Sequence, residues 1–375
     1  MSREDLKKSA KATLKELTSL IGVSGEEQDV IRAMIEHFKP YADEIKVSPL
    51  GNLTATKKGK RPGPKVLIAA HTDEIGFEVK YIREDGFISF DKIGGVPDNI
   101  MSARKVWIGK KRILGAIGIK PGHLMTPEEM KQVRSVHDLY IDVACSSRKE
   151  VEELGIRIGD RIVFADLVEE MANPDFLVGR GMDNRAGCTV VCELLKQCAD
   201  GDFAGTLVVG ASCREEVGMV GARPLGYSVK PDYVLAIDTL PAGDTPDQRA
   251  NPGLLPTAIG KGPAIMVTDG CAASHQYGIF SSIHPAIRKA IESQSAEQDI
   301  PVQWLTLVGF ASTTDAAEYA YMGEGIPQAS FTLPRRYSHS PVELLNINDI
   351  VDSVLILQGI VYRENEKINL DFLAH

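Results

Sequence analysis

The chain has 375 residues, 43% of them hydrophobic and 25% charged, which is the composition of an ordinary globular enzyme with a sizeable core. Its formal net charge of −9 argues against nucleic acid as a partner. The apolar runs stay short of the roughly 18 residues that span a bilayer, and the six cysteines form no CxxC pair, so we expect a cytoplasmic protein without a membrane partner.

Two helices and three strands are predicted in the first part of the chain. Leucines at helical spacing predict a first helix that ends near Gly22, and the charges between them are unlike a signal peptide. Ser24 and Glu27 fit a capping box for a second helix that ends at about Phe38. Strands are predicted over 44–47, 53–57 and 66–70. The last of these is entirely apolar, as expected for a strand covered on both faces.

The pattern changes between residues 75 and 164. Short β-type runs alternate with turns such as Asp85-Gly86, and one helix is predicted over 147–154. We therefore predict that 75–164 is a small inserted β-rich domain, either a barrel or a sandwich. Residues 1–74 and 165–375 then form one discontinuous α/β domain.

Helices and strands alternate in the remaining part of the chain. The predicted helices are 184–198, 285–292, 315–321 and 350–362, and the predicted strands are 206–210, 233–238, 302–307 and 328–332. This alternation is typical of an α/β fold with a mainly parallel sheet flanked by helices.

The ends of five predicted segments carry side chains that bind metal ions. Because open α/β sheets bind ligands at the carboxyl ends of their strands, we expect these side chains to meet at one edge of the sheet. Two histidines with several carboxylates are typical of zinc, cobalt or manganese at a hydrolytic site, and their charge would balance much of that of two divalent cations. The candidates are His71, with Asp73 two residues later, Asp183, Glu215 and Glu216, Asp238, and His339.

Each candidate also has a structural interpretation when it is taken alone. His71 could be a hydrogen-bonded core histidine, and His339 could be a surface loop residue. Asp183 stands where a helix N-cap belongs, and Asp238 stands where a turn former does. A Glu-Glu pair is common at the solvated start of a helix. The metal-site hypothesis therefore depends on all the candidates lying at the edge of one sheet.

Five sequence blocks carry a resemblance to a known family. They are HTDEIGF, VGRGMDNRAG, REEVGMVGA, AIDT and RRYSHSPVE, in this order. The chain resembles the co-catalytic metallo-aminopeptidases that include the glutamyl and deblocking aminopeptidases and the self-compartmentalising tetrahedral (TET) peptidases. The resemblance covers nearly the whole chain and implies a zinc-peptidase-like fold.

The resemblance also implies how metal ions are held. Asp183 would bridge two divalent ions, most simply Zn²⁺, with Co²⁺ or Mn²⁺ as alternatives. His71 and Asp238 would complete the ligands of one ion, and Glu216 and His339 those of the other.

Roles in catalysis and assembly follow from the same resemblance. Glu215 would be the general base, although spacing alone leaves the order of the glutamate pair open, and Asp73 would orient His71. The peptide bond after the bridging aspartate is expected to be unusual, with a cis bond as one form. Dimers would build a homo-oligomer of twelve subunits, and the inserted domain would serve assembly or substrate gating.

The predicted function is the removal of N-terminal residues from peptides that have a free N-terminus. A dinuclear hydrolase of another amide or of an N-acyl bond is the alternative. Some relatives are labelled endoglucanases, but a glycosidase normally uses two carboxylates without metal ions. A non-catalytic scaffold would be expected to lack a ligand or the base. The preferred N-terminal residue stays open, because four basic residues could form a pocket for an acidic side chain or be solvated: Arg214, Lys261, Arg335 and Arg336.

Overall fold

The structure, a computed structural model, describes residues 1–248, 253, 255–271, 279–308 and 313–374. Helix α1 ends at Ser19 rather than near Gly22, and its leucines lie on one buried face, as their spacing predicts. The first elements are helices α1 (Arg3–Ser19) and α2 (Gln28–Phe38), followed by strands β1 (Glu44–Val47), β2 (Leu53–Lys58) and β3 (Arg61–His71).

The next part of the chain forms a small closed barrel. Its strands are β4 (Gly76–Ile82), β5 (Ile88–Ile93), β6 (Lys105–Ile108), β7 (Ile113–Ile117), β8 (Ile141–Asp142) and β9 (Arg161–Phe164), with helix α3 (Arg148–Leu154) before β9. They close in the order β4-β5-β8-β7-β6-β9. Phe77 packs edge-on against Phe90 and Phe164 inside the barrel, with ring centroids 5.2 and 5.3 Å apart. Of the two predicted forms, a barrel or a sandwich, the chain adopts the barrel.

The predicted helices and strands follow the barrel in the predicted order, but consecutive strands also occur, so the alternation is incomplete. Helix α8 continues into a π-helical turn, and no helix in the described ranges is long and apolar enough to cross a membrane. The elements are β10 (Glu169–Glu170), β11 (Phe176–Gly179), α4 (Met182–Gln197), β12 (Ala204–Ser212), α5 (Ala222–Val229), β13 (Tyr233–Pro241), β14 (Ala264–Cys271), β15 (Ile279–Ser282), α6 (Pro285–Gln298), β16 (Gln303–Val308), α7 (Asp315–Tyr319), β17 (Gln328–Arg335), β18 (Glu343–Asn346) and α8 (Ile347–Gly359).

The large sheet is mixed rather than mainly parallel. Within the described residues its order is β1-β2-β12-β3-β13-β17-β14-β15, with β16 beside β14. The central strands β12, β3, β13 and β17 run parallel to one another. Strands β1 and β2 on one side, and β14 and β15 on the other, add antiparallel pairs. The turn between β1 and β2 is too short for the crossover that a parallel pair requires. The prediction is therefore correct for the four central strands and for the pair β14 and β16, and wrong for the remaining pairs.

The central strands are covered by helices on both faces. In β3, Val66, Ile68 and Ala70 belong to the core formed with α1, α2, α4, α6 and α8. Leu67 and Ala69 belong to a second core with α5 and α7. Successive side chains of a strand point to opposite faces, so a strand between two helical layers must be apolar at every position. This explains the apolar run that the sequence shows before His71.

The predicted capping box at the start of α2 is wrong. Helix α2 begins after Glu27, and no side chain caps it. The hydroxyl of Ser24 instead donates a 2.6 Å hydrogen bond to Oδ2 of Asp73. Oε1 of Glu27 accepts from the backbone N–H groups of Gly25 and Arg214. Both side chains are therefore used to hold the loops that carry the candidate metal ligands.

Candidate metal centre

Two neighbouring strands bring the first pair of candidates together. His71 is the last residue of β3, and Asp238 lies in the adjacent strand β13. The parallel register pairs Ile237 with Ala70, so the following residues of both strands lie side by side. Nε2 of His71 is 3.4 Å from Oδ1 of Asp238. The carboxyl edge of the sheet thus holds these two side chains as the sequence predicts.

Asp183 reaches the same edge from the start of α4. Asp183 and Asn184 have non-helical backbone angles, and the peptide bond between them is cis, one form of the unusual bond that the family resemblance implies. The Asn184 side chain donates to the carbonyl of Ile237 at 2.8 Å and accepts from the N–H of Gly187 at 2.9 Å. These bonds fix the start of α4 against β13, beside Asp238.

Asp183 belongs to two groups of candidate ligands. Its Oδ1 is 3.3 Å from Nε2 of His71, and its Oδ2 is 3.4 Å from Nε2 of His339. Nε2 of His339 is also 3.6 Å from Oε2 of Glu216. One group is His71, Asp183 and Asp238, and the other is Asp183, Glu216 and His339. In each group, every residue offers one ligand atom, and these atoms all lie within 4.8 Å of one another.

The two adjacent glutamates have different surroundings. Glu216 lies with His339 and Asp183, whereas Oε2 of Glu215 is 3.9 Å from Nε2 of His71. His71, Glu215 and Glu216 also form a group within 4.8 Å of one another. Glu215 therefore stands at the cluster but outside both groups that contain Asp183.

Asp73 contacts both the first histidine and the glutamate pair. Its Oδ1 is 3.3 Å from Nδ1 of His71. Its two oxygens accept from the backbone N–H groups of Glu215 and Glu216, at 2.9 and 3.2 Å. Burial disfavours the charge of Asp73, but its hydrogen bonds to His71 and Ser24 lower its pKa. The sequence predicts only the contact with the histidine, so the link to the glutamates is a structural finding.

Crowding of buried carboxylates changes their acidity. Burial and repulsion from Asp238 and Glu216 raise the pKa of Glu215 well above its usual value. Burial and the charge of Asp183 raise the pKa of Glu216 to about 8. Burial opposes protonation of His339, but its hydrogen bond to Asp183 raises its pKa to about 9. The carboxylates suppress one another's ionisation, and bound cations would relieve that repulsion.

Arg335 lies inside the site and not in a pocket for substrate. Its guanidinium donates to Asp183, to Oε1 of Glu343 at 2.5 Å and to Oγ1 of Thr239 at 2.6 Å, and its side chain is 3% exposed. Although burial opposes the charge of Asp183, Arg335 and the neighbouring histidines hold the pKa of Asp183 well below its usual range. Both sequence interpretations of Arg335, a substrate pocket and a solvated charge, are therefore wrong.

The other basic residues that the sequence singles out lie in different settings. Arg336 forms two hydrogen bonds to Asp244, of 2.8 and 2.6 Å, so a carboxylate of the chain itself holds it. Lys261 is exposed. The backbone N–H of Arg214 donates to Glu27, and Arg214 has a φ of 57°, in the left-handed region.

Five residues make contacts around the site that sequence reasoning does not predict. Glu343 lies in a block that carries the family resemblance, but no local pattern tells which residues it contacts. Asp315 accepts a 2.5 Å hydrogen bond from Ser212 at the end of β12, and burial raises its pKa to about 7. The residues are Ser24, Glu27, Asp315, Arg335 and Glu343.

The candidate side chains at the sheet edge are of the types that bind divalent cations. Imidazole nitrogens and carboxylate oxygens are the donors that zinc, cobalt and manganese accept at hydrolytic sites. Oδ1 of Asp183 and Oε1 of Glu216 are buried and have no hydrogen-bond partner among the residues that the structure describes. Buried polar atoms are normally paired, so such atoms beside two histidines are suited to bind an ion.

Comparison with known proteins gives consistent results for sequence and fold. The M42 glutamyl aminopeptidase family matches residues 51–355. A relative from Acetivibrio thermocellus that carries a provisional aminopeptidase name is 35% identical, over 92% of this chain and 96% of its own length. The structure of aminopeptidase APDkam598 from the archaeon Desulfurococcus kamchatkensis aligns with a TM-score of 0.87 and 32% identity, over 96% of both chains.

A third match has a known assembly. The TET1 peptidase of Pyrococcus horikoshii, described as assembling into a tetrahedron or a large octahedral shell, aligns with a TM-score of 0.81 and 28% identity. The alignment covers 94% of this chain and 99% of that chain. The family match spans His71, Asp183 and His339 and thus includes both ligand groups. The chain therefore belongs to the M42 glutamyl aminopeptidase family, whose members are hydrolases that act on peptides.

Proposed function

We propose that this member of the M42 family is a two-metal aminopeptidase that removes N-terminal residues from peptides. The observation that carries the proposal is the position of Asp183, whose two oxygens face two different histidines at 3.3 and 3.4 Å. A carboxylate placed in this way can bridge two cations, as hydrolases with two metal ions require.

Each cation would have its own set of side chains in addition to Asp183. His71 and Asp238 would hold one ion, and Glu216 and His339 would hold the other. Zn²⁺ suits these ligands best, with Co²⁺ or Mn²⁺ as alternatives. Bound there, the two ions would lower the pKa of water and polarise a peptide carbonyl.

Glu215 is the proposed general base. It lies beside His71 but outside the two groups that share Asp183, so its carboxylate can exchange a proton without serving as one of their ligands. It would accept the proton of the attacking water and return it to the leaving amine. Asp73 would position this base, because it accepts the backbone N–H groups of Glu215 and Glu216.

The same site favours substrates with a free N-terminus. With metal bound, one of the two cations would bind the free α-amine of the substrate, a ligand that an acetylated peptide lacks. This would make the enzyme an exopeptidase and not a general amidase.

Assembly and location belong to the same proposal. We propose that residues 75–164 form an inserted domain that serves assembly or gating, and that dimers build a shell of twelve subunits, since a relative forms large shells. A reducing compartment such as the cytoplasm suits the free thiols of Cys145, Cys188, Cys192, Cys198 and Cys213.

An activity panel on reconstituted protein tests the proposal. Metal-free protein is loaded with Zn²⁺, Co²⁺ or Mn²⁺ and given aminoacyl-anilides beside their N-acetylated copies. We expect metal-dependent cleavage of the free-amine substrates alone. Equal cleavage of both sets would indicate another amide hydrolase, and no cleavage by protein that holds two metal ions would refute the peptidase function.

A further inference from the structure

We propose that Glu343 and Arg335 form a positioning pair that fixes the ligands Asp183 and His339, an inference that rests on the proposed two-metal function. Both side chains are buried, at 3% exposure each. They are joined by a 2.5 Å hydrogen bond from Nη1 of Arg335 to Oε1 of Glu343.

The carboxylate of Glu343 accepts hydrogen bonds from the main chain of two proposed ligands. Its Oε1 accepts from the backbone N–H of His339 at 2.9 Å, and its Oε2 accepts from the backbone N–H of Asp183 at 3.2 Å. Asp183 and His339 are far apart in the chain, and His339 has a φ of 57° in the left-handed region, which is unusual for a residue other than glycine. The carboxylate therefore links a helix start to a turn of uncommon backbone conformation.

Arg335 acts on the side chain of Asp183 and not on its backbone. Nη2 donates to Oδ2 of Asp183, the oxygen that also faces His339, while Oδ1 faces His71. Nε of the same guanidinium donates to Thr239, the residue after the ligand Asp238. Three nitrogens of one planar group thus fix the plane of the shared carboxylate relative to β13.

A lysine could not reproduce these contacts. The guanidinium is a rigid planar fork, whereas the lysine ammonium is a single charge at the end of a flexible chain. Arg335→Lys keeps the positive charge but cannot reach Thr239, Glu343 and Asp183 together. Charge and geometry can therefore be separated with this one variant.

The adjacent arginine provides a matched control. Arg336 forms a two-bond ion pair with Asp244, at 2.8 and 2.6 Å, and its side chain is 25% exposed. Both variants, Arg335→Met and Arg336→Met, thus break an arginine–carboxylate pair, but only the first pair contacts a candidate metal ligand.

Affinity for metal tests the inference without relying on turnover. The full chain is loaded with Zn²⁺ and titrated with a competing chelator, and bound zinc is counted. We expect the zinc Kd to rise on the order of 10- to 100-fold in Arg335→Met and Glu343→Gln, as for other outer partners of metal ligands. Arg335→Lys should lie between wild type and Arg335→Met, and Arg336→Met should match wild type.

A second measurement separates positioning from a general loss of structure. If the pair positions ligands, raising the free metal concentration restores the turnover of Arg335→Lys and Glu343→Gln over a range where wild type is already saturated. A folding defect would lower turnover at every metal concentration. If Arg335→Met fails to fold, these two variants still decide the question.

The outcomes distinguish this inference from the function on which it rests. If Arg335→Met and Glu343→Gln bind zinc as tightly as wild type and Arg336→Met do, the positioning pair is overturned and the two-metal function stays in place. Wild-type protein that binds no divalent ion would overturn both.

Discussion

Glu215→Gln is the substitution that examines the proposed mechanism most directly. It replaces a carboxylate by an amide of nearly the same shape. The backbone N–H of residue 215 still donates to Asp73, so the loop keeps its position. The groups that share Asp183 do not contain Glu215. We therefore expect the variant to bind two metal ions.

The expected loss lies in the chemical step. An amide cannot take up the proton of water, and a positioned general base contributes about 10²- to 10⁴-fold in rate. This corresponds to about 3–5 kcal/mol of activation free energy. The side chain of Glu215 is 11% exposed, so solvent gains little access as a substitute base. The loss should appear in kcat, because the substituted group is not used to bind the peptide.

Steady-state kinetics on an aminoacyl-anilide, together with metal counting, provide the assay. Glu216→Gln is the matched comparison, since it removes a proposed ligand from the group with His339 and should lower metal content. The reverse result, with metal lost in Glu215→Gln and retained in Glu216→Gln, would show that the roles of the pair are exchanged. Near-normal kcat in Glu215→Gln would refute a general base at this position.

Three further predictions concern the support of the site, the barrel and pH. Ser24→Ala removes the 2.6 Å hydrogen bond to Asp73 and should lower kcat by about 10-fold or more, as measured on metal-loaded protein. Phe77→Ala empties the centre of the barrel and should reduce its stability by about 3–5 kcal/mol in urea unfolding. Burial raises the pKa of Asp349 to about 7 from an ordinary value of 3.8, so its contribution to stability is complete below pH 3.8 and is lost as pH rises through 7. The stability advantage of wild type over Asp349→Asn should therefore shrink between pH 5 and 7, by at most about 1.4 kcal/mol per pH unit.

Each of these predictions has a simple control. Ser19→Ala removes a hydroxyl that donates to the carbonyl of Glu16 and not to Asp73, and an equal loss of kcat there would contradict the role given to Ser24. Leu114 is 58% exposed on the same barrel, so Leu114→Ala should leave the urea midpoint unchanged. A constant difference between wild type and Asp349→Asn across this pH range would argue against a raised pKa at that residue.

Local patterns predict the central strands and helices and the edge of the sheet where the candidate ligands lie, for a physical reason. A strand covered on both faces must be apolar throughout, so the run before His71 identifies β3 and the edge at which it ends. The same rule identifies β12 before the glutamate pair and β13 around Asp238. Strand ends are local features, and the candidate ligands lie at strand ends or follow them, except Asp238, which lies inside β13 because that strand continues to Pro241.

Features that depend on distant partners are not visible in the sequence. Ser24 has the spacing of a helix cap, but its hydroxyl donates a hydrogen bond to Asp73 instead. The two residues come into contact only in the folded chain. In the sequence, Arg335 cannot be told from an ordinary basic residue, and only the structure shows that it binds Asp183 and Glu343. The antiparallel edges of the sheet follow from chain connections, and periodicity does not report the direction of a strand.

The position of His339 along the chain also matters during synthesis. The candidate ligand groups come from β3, the start of α4, the segment after β12, β13 and the turn after β17. The last of these leaves the ribosome late. Domains fold as units in the order in which they emerge, so an incomplete chain can fold its barrel while the group with Glu216 and His339 still lacks a member. A growing polypeptide would therefore lack a complete candidate metal centre until almost all of it has been translated.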